Sequence, residues 1–249
     1  MSPAQILLIN PNISRQTTAL MARQAQACVP AGMAGVTLLT ATARQGAAMI
    51  TDEAGLAIAE QQVLDLGLEF AQQQSESQQA SVPRPGAIII AAFGNPGLQR
   101  LRQQLPSHIY AIGIGEAVLL AAVGDGTRRF GIATTTPGLE ASIAQSVAAL
   151  GLEAQFTGTR LANGEPLALA ADPELQRERL AVAVSQCIEA DGAQAVVIGG
   201  GPLAEVALWL APRFAVPVLS PIVSAMRAAC KALKGHELIA RSNGLHQNT

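Results

Sequence analysis

At four places in this 249-residue chain an apolar run breaks into residues able to hold a ligand. They are Asn10-Pro-Asn-Ile-Ser14, Ala92-Phe-Gly-Asn-Pro-Gly97, Thr134-Thr-Thr-Pro137 and Gly199-Gly-Gly-Pro202. Glycine lets backbone N–H groups reach a bound molecule, and Asn, Ser and Thr add side-chain donors. Where such a stretch opens a helix, its unpaired N–H groups and partial positive charge hold carboxylate or imide oxygens without Lys or Arg. The chemistry expected is capture of a small planar or anionic molecule, mostly by main chain. Each residue also has a plain structural reading. Ser14 and Thr136 suit helix caps, Asn10 and Asn12 suit the turn at Pro11, and the glycines suit turns. Recurrence at successive breaks favours a pocket, with Asn10, Asn12, Ala92, Phe93, Gly94, Asn95, Thr136, Gly200, Gly201 and Pro202 as its substrate-binding candidates. Glu116, just beyond Gly113-Ile-Gly115, is read as a general base, an orienter of substrate N–H groups, or a cap for the helix that follows. Ser14 and Thr135 join it as catalytic candidates, by holding a water.

The elements that must position these residues alternate. Ala87–Ala92 and Ala195–Ile198 are continuous apolar runs of strand length, which fits strands buried on both faces. Aligning them sets Ala92 opposite Gly200, and the echo points to two similar half-molecules facing one another across a cleft. Further strands are expected at Ile6–Ile9, Val36–Ala41, Ile109–Ile114, Phe130–Thr134, Ala154–Thr157 and Val216–Leu219. Helices are expected over residues 15–28, 54–74, 98–104, 116–123, 138–150, 174–190, 202–211 and 221–233. Asn163–Pro173 reads as loop with a short helical turn at Leu167–Ala171; Gln72–Ala80 reads as a solvated helix end and loop, and 242–249 as a disordered tail. Strands alternating with helices imply parallel, doubly wound sheets, whose ligands bind beyond the carboxyl ends of the strands.

Composition narrows the classes. With 49% hydrophobic but 3% aromatic residues, the core must be built from Ala, Val, Ile and Leu. A net charge of −2 and 14% charged residues leave no basic footprint for nucleic acid. No apolar run approaches the roughly 18–20 residues that span a bilayer. Ile6–Ile9 follows no basic region, so it reads as a strand and not a signal peptide; a cytoplasmic protein without membrane partners is expected. Cys28, Cys187 and Cys230 lack CxxC spacing and fall beside apolar helix positions, so they read as core rather than disulfide or zinc ligands. His108 sits in a Pro-Ser-His turn on the rim away from the ligand, and His236 and His246 lie near the C-terminus. Glu205, one turn into the helix after Gly201, reads as solvated, with an inward-pointing side chain as the alternative. No metal-ligand spacing or Walker-type loop appears, and no cofactor is expected.

Taken in order, Asn10–Ser14, Phe93–Gly97, Gly113-Ile-Gly-Glu-Ala117, Thr134–Thr136, Gly199–Pro202 and Val216-Pro-Val-Leu-Ser-Pro221 resemble the aspartate/glutamate/hydantoin racemase superfamily, nearest its hydantoin racemase branch. The resemblance covers nearly the whole chain. It implies an α/β fold of two pseudo-symmetric, Rossmann-like parallel-sheet lobes with the site in the cleft between them. Residues 1–115 with 220–249 would form one lobe and 116–219 the other, the C-terminal helix packing back on the first. It implies a cofactor-independent racemase or isomerase, commonly a homo-oligomer, acting at the carbon next to a carbonyl of a small hydantoin-like or amino-acid-derived substrate. Racemases of the superfamily use two cysteines, one per half, on opposite faces of that carbon. Carried over by position, those places are Ala92 and Gly200 here, and neither side chain accepts a proton. Asn95 stands where the hydantoin racemase pattern usually has Asp. A thiol-free decarboxylase or ring-opening hydrolase, and a non-catalytic small-ligand binder, stay open as alternatives.

Overall fold

The computed structural model describes residues 4–33, 35–76 and 85–245. Two four-stranded parallel sheets share one strand order. The first contains β1 (Gln5–Asn10), β2 (Thr37–Thr42), β3 (Gly86–Ile90) and β4 (Ile109–Gly113) in the order β2-β1-β3-β4. The second contains β5 (Phe130–Thr134), β6 (Phe156–Leu161), β7 (Ala195–Ile198) and β8 (Val218–Leu219) in the order β6-β5-β7-β8. Side chains alternate across each strand, so one apolar run feeds two cores. Ile6, Leu8 and Ile89 face one side of the first sheet, while Leu7, Ile9, Ile88 and Ile90 face the other. In the second sheet Phe130, Ile132, Ala195 and Val197 face one side, and Ala133, Val196 and Ile198 the other.

The helices are α1 (Arg15–Ala27), α2 (Glu53–Glu76), α3 (Leu98–Gln104), α4 (Ile114–Val123), α5 (Glu140–Ala149), α6 (Pro166–Ala171), α7 (Pro173–Glu189), α8 (Ala204–Leu210) and α9 (Pro221–Leu245). Helix α9 returns to the first sheet, where Ile222, Ala225, Met226, Ala229 and Leu233 join Ile6, Leu8 and Ile89. Helix α4 is the seam: Ile114 packs in that cluster, whereas Val118 and Leu119 pack with Phe130 and Ile132 of the second sheet.

Several expected boundaries move. The second strand starts one residue later, β6 begins at Phe156 rather than Ala154, and β8 is confined to Val218–Leu219. Asn163–Pro173 contains α6, whose first turn Glu165 caps by accepting from the Ala168 N–H at 2.9 Å. Helix α8 starts at Ala204, two residues beyond Pro202. Helix α9 runs through Leu245, into the stretch expected to be a tail. Helix α2 likewise extends to Glu76, and the rest of the polar loop and of the tail lies outside the described residues. Among the described residues no helix is long and apolar enough to cross a membrane.

Candidate active site

The carboxyl ends of β1, β3, β5 and β7 open onto one cleft of about 700 Å³. Ala92, from the end of β3, and Gly200, from the end of β7, both line it, so one position comes from each lobe. Asn10, Asn12, Phe93, Gly94, Thr135, Thr136, Gly201 and Pro202 line it too. Ser14, Asn95 and Glu116 do not.

At the end of β1 the donors are unequally engaged. The buried Asn10 Nδ2 donates to Asn12 Oδ1, the Ser14 carbonyl and Thr18 Oγ1 at 2.8, 3.0 and 3.0 Å, while its Oδ1 accepts from the Asn12 N–H. Asn12 Oδ1 also accepts from the Ser14 N–H at 2.9 Å, which turns its Nδ2 into a donor without a partner among the described residues. Ser14 is the N-cap of α1: its Oγ accepts from the Thr17 N–H at 3.2 Å and the Thr17 hydroxyl at 3.0 Å. Ser14 Oγ thus serves the helix start, and Ser14 is absent from the lining of the cleft. At the end of β5, Thr134 Oγ1 donates to the Gly199 carbonyl at 2.6 Å and joins β5 to β7. The hydroxyls of Thr135 and Thr136, both buried, have no partner among the described residues and remain free for a ligand.

The end of β3 also departs from expectation. Asn95 has a left-handed backbone, φ 48°, and its Oδ1 accepts from the Gly115 N–H at 3.0 Å, capping α4. A Cβ on Gly115 would collide with the Phe93 carbonyl, so this turn admits only glycine there. The cap directs Glu116 toward α3, where Arg102 clamps both carboxylate oxygens at 2.7 and 2.9 Å. Asn95 and Glu116 line a separate depression of about 260 Å³. Glu116 and Asn95, expected as base and substrate contact, thus lie in that depression and not in the lining of the cleft. Phe93 touches the cleft while packing with Val118 and Phe130 of the second lobe's core. A Cβ on Gly201 would stand 2.8 Å from both the Ala91 carbonyl and Met21 Sδ, so Gly201 lets the lobes approach.

Three features escaped the sequence reading. The loop of residues 43–52 adds Ala48, Met49 and Ile50 to the cleft. It is tied to the first lobe by Gln62 Oε1, which accepts from the Arg44 and Gln45 N–H groups at 2.8 and 3.0 Å, and by Ile13 N–H donating to the Ala47 carbonyl. Its far end rests on the second lobe, where a Cβ on Gly138 would strike the Thr51 carbonyl. Leu56, Leu139, Ile143 and Leu167 supply an apolar wall. Glu205 lines the cleft near Arg177, 3.9 Å between Oε1 and Nη2, with Arg23 contributed by α1. A period-2 or 3.6 pattern carries no signal for a loop that folds across a cleft, and a first-turn Glu reads the same whether it faces water or a ligand.

The three cysteines stay out of the cleft. Burial pushes the Cys187 thiol up to about 12, and burial raises Cys28 and Cys230 above the ordinary thiol value as well. Tyr110 OH and His236 Nδ1 meet at 3.1 Å, tying α9 to β4, and neither His108 nor His236 lines the cleft. Among the described residues no group of three or more His, Cys, Asp or Glu could hold a metal ion.

Comparison with known proteins gives a consistent picture. The family model described as Asp/Glu/hydantoin racemase matches residues 6–229. The hydantoin racemase of Paenarthrobacter aurescens is 27% identical over 227 residues, which cover 90% of this chain and 89% of that protein. The structure of allantoin racemase from Klebsiella pneumoniae superposes with a TM-score of 0.79 at 24% identity, over 94% of this chain and 89% of the other. That of allantoin racemase from Pseudomonas fluorescens gives 0.78 at 22% identity, over 92% and 91%. Both structures share the fold.

Proposed function

Because the chain belongs to the Asp/Glu/hydantoin racemase family, we propose that its cleft takes a small hydantoin-like or amino-acid-derived compound and acts at the carbon next to a carbonyl. The observation that carries this reading is the convergence, in one cleft, of Ala92, Gly200 and the unpartnered donors of Asn12, Thr135 and Thr136. A volume of about 700 Å³ lies within the range of small-molecule sites. In this reading the donors hold the carbonyl or imide oxygens, and residues 1–115 with 220–249 and residues 116–219 act as the two jaws. Ala92 and Gly200 flank the ring, so proton transfer does not use the thiol pair of the family's racemases. No cofactor is invoked: the acidity of a C–H beside a carbonyl suits general acid–base chemistry alone.

Calorimetric titration with 5-substituted hydantoins and N-carbamoyl amino acids tests this, with micromolar to millimolar binding expected. Failure of every such compound to bind would sink the proposal. The substitution of both thiol positions favours a second reading, a non-catalytic binder. Tight binding with every substrate recovered unchanged and unexchanged would select it, whereas released CO2 or a ring-opened product would select the decarboxylase or hydrolase alternative. Racemisation gained only in the A92C/G200C double variant would show that the native protein carries out a different reaction.

A further inference from the structure

We propose that the cleft works with a single base, Glu205, and exchanges the proton next to the substrate carbonyl on one face only, with retention of handedness. The inference rests on the hydantoin-like reading above. Among the described residues lining the cleft, Glu205 is the one carboxylate, and no Cys, His, Lys or Tyr accompanies it. It lies in the first turn of α8, five positions beyond Gly200, and so enters from the second lobe. Its ionised neighbours along the walls are Arg177 of α7, 3.9 Å away, and Arg23 of α1. The first lobe offers no counterpart. Ala92 carries a methyl group, the Asn95 oxygen is held by the start of α4, and Arg102 clamps Glu116 in the separate depression. One wall of the cleft thus has an acceptor and the facing wall has none.

The step balances without a co-reactant. The C–H bond next to the carbonyl breaks, the proton passes to a Glu205 oxygen, and the electron pair moves onto the carbonyl oxygen. Hydrogen bonds donated by Thr135, Thr136 and Asn12 would stabilise that enolate. Return of the proton from Glu205 rebuilds the C–H bond on the face from which it left. The Glu205 side chain is 56% exposed, so its proton trades with solvent between the two steps. Two bases on opposite faces invert the centre; one base cannot.

The test uses the full chain and a single enantiomer of a hydantoin shown by calorimetry to bind, incubated in heavy water. Mass spectrometry follows deuterium at the ring carbon while chiral chromatography follows handedness. Expected is exchange above the buffer rate with handedness kept, falling at least about a hundredfold in Glu205→Gln while the dissociation constant and melting temperature stay put. Inversion keeping pace with exchange would overturn the proposal, as would native-rate exchange in Glu205→Gln, or binding with no exchange at all. If no hydantoin binds, the functional reading fails first and the one-base inference falls with it.

Discussion

Asn10, Asn12, Ser14, Thr135 and Thr136 look alike as polar residues at strand ends, yet they divide into groups already engaged and groups left free. Ser14 Oγ holds the first turn of α1, whereas the Thr135 hydroxyl has no partner among the described residues. Ser14→Ala is expected to cost about 1 kcal/mol of stability, as loss of an N-cap does, with ligand affinity unchanged. Thr135→Val should do the reverse: melting temperature kept, affinity lowered by about 2- to 10-fold, the worth of one hydrogen bond. Melting curves and calorimetry on the two variants separate the roles. The sequence announces such donors but not which are occupied, because their partners are set in three dimensions. Glu116 illustrates the limit: its place beyond a strand end was legible, while its pairing with Arg102, contributed by a different helix, was not.

At the scale of elements, the 43–52 loop is the part least visible in the sequence and most open to test. It is anchored on Gln62 and rests on Gly138. Gly138→Ala should lift the loop, since the added Cβ meets backbone that cannot yield by a rotamer change. Several-fold faster ligand dissociation and new proteolysis within residues 43–52 are expected. Strand β6, an edge strand, is held by Arg160, whose Nε and Nη2 donate to Asp191 at 2.8 and 2.5 Å. Those bonds hold the Asp191 carboxyl below the usual carboxylate range. A lowered folded value means the pair stabilises fully above the unfolded Asp value, near 3.9, and loses its effect as pH falls through the folded one. Asp191→Asn is therefore expected to melt earlier than the native protein at pH 7, with the difference shrinking as the pH falls below the unfolded Asp value. The same contrast explains what pattern could deliver. Buried β3, β5 and β7 are apolar but for Thr134 at the end of β5 and were legible, whereas half-buried β6, with Thr157, Thr159 and Arg160, offers neither a continuous run nor clean alternation.

The whole molecule repeats one strand order twice, and the echo between Ile88–Ile90 and Val196–Ile198 exposed that repeat before any coordinate did. What the echo could not reveal is how firmly the halves are joined. Phe93, at the end of a first-lobe strand, packs in the second lobe's core; α4 packs in both, and α9 returns across the first sheet from the second. The lobes should accordingly unfold together. Fluorescence of Trp209, the single tryptophan, reports on the second lobe, and far-UV ellipticity reports on both. The two melting curves are expected to coincide. Separate midpoints would show that the seam is weaker than its packing implies.

The seclusion of the three cysteines has a practical corollary. Peroxide, air and alkylating reagents attack accessible thiolates, and a cleft that depended on sulfur would be poisoned by them. Here Cys187 is fully buried with its thiol pushed up to about 12, and no cysteine stands among the described residues lining the cleft. Iodoacetamide should leave ligand capture intact, so the protein would keep its affinity under alkylation that silences a thiol-dependent site.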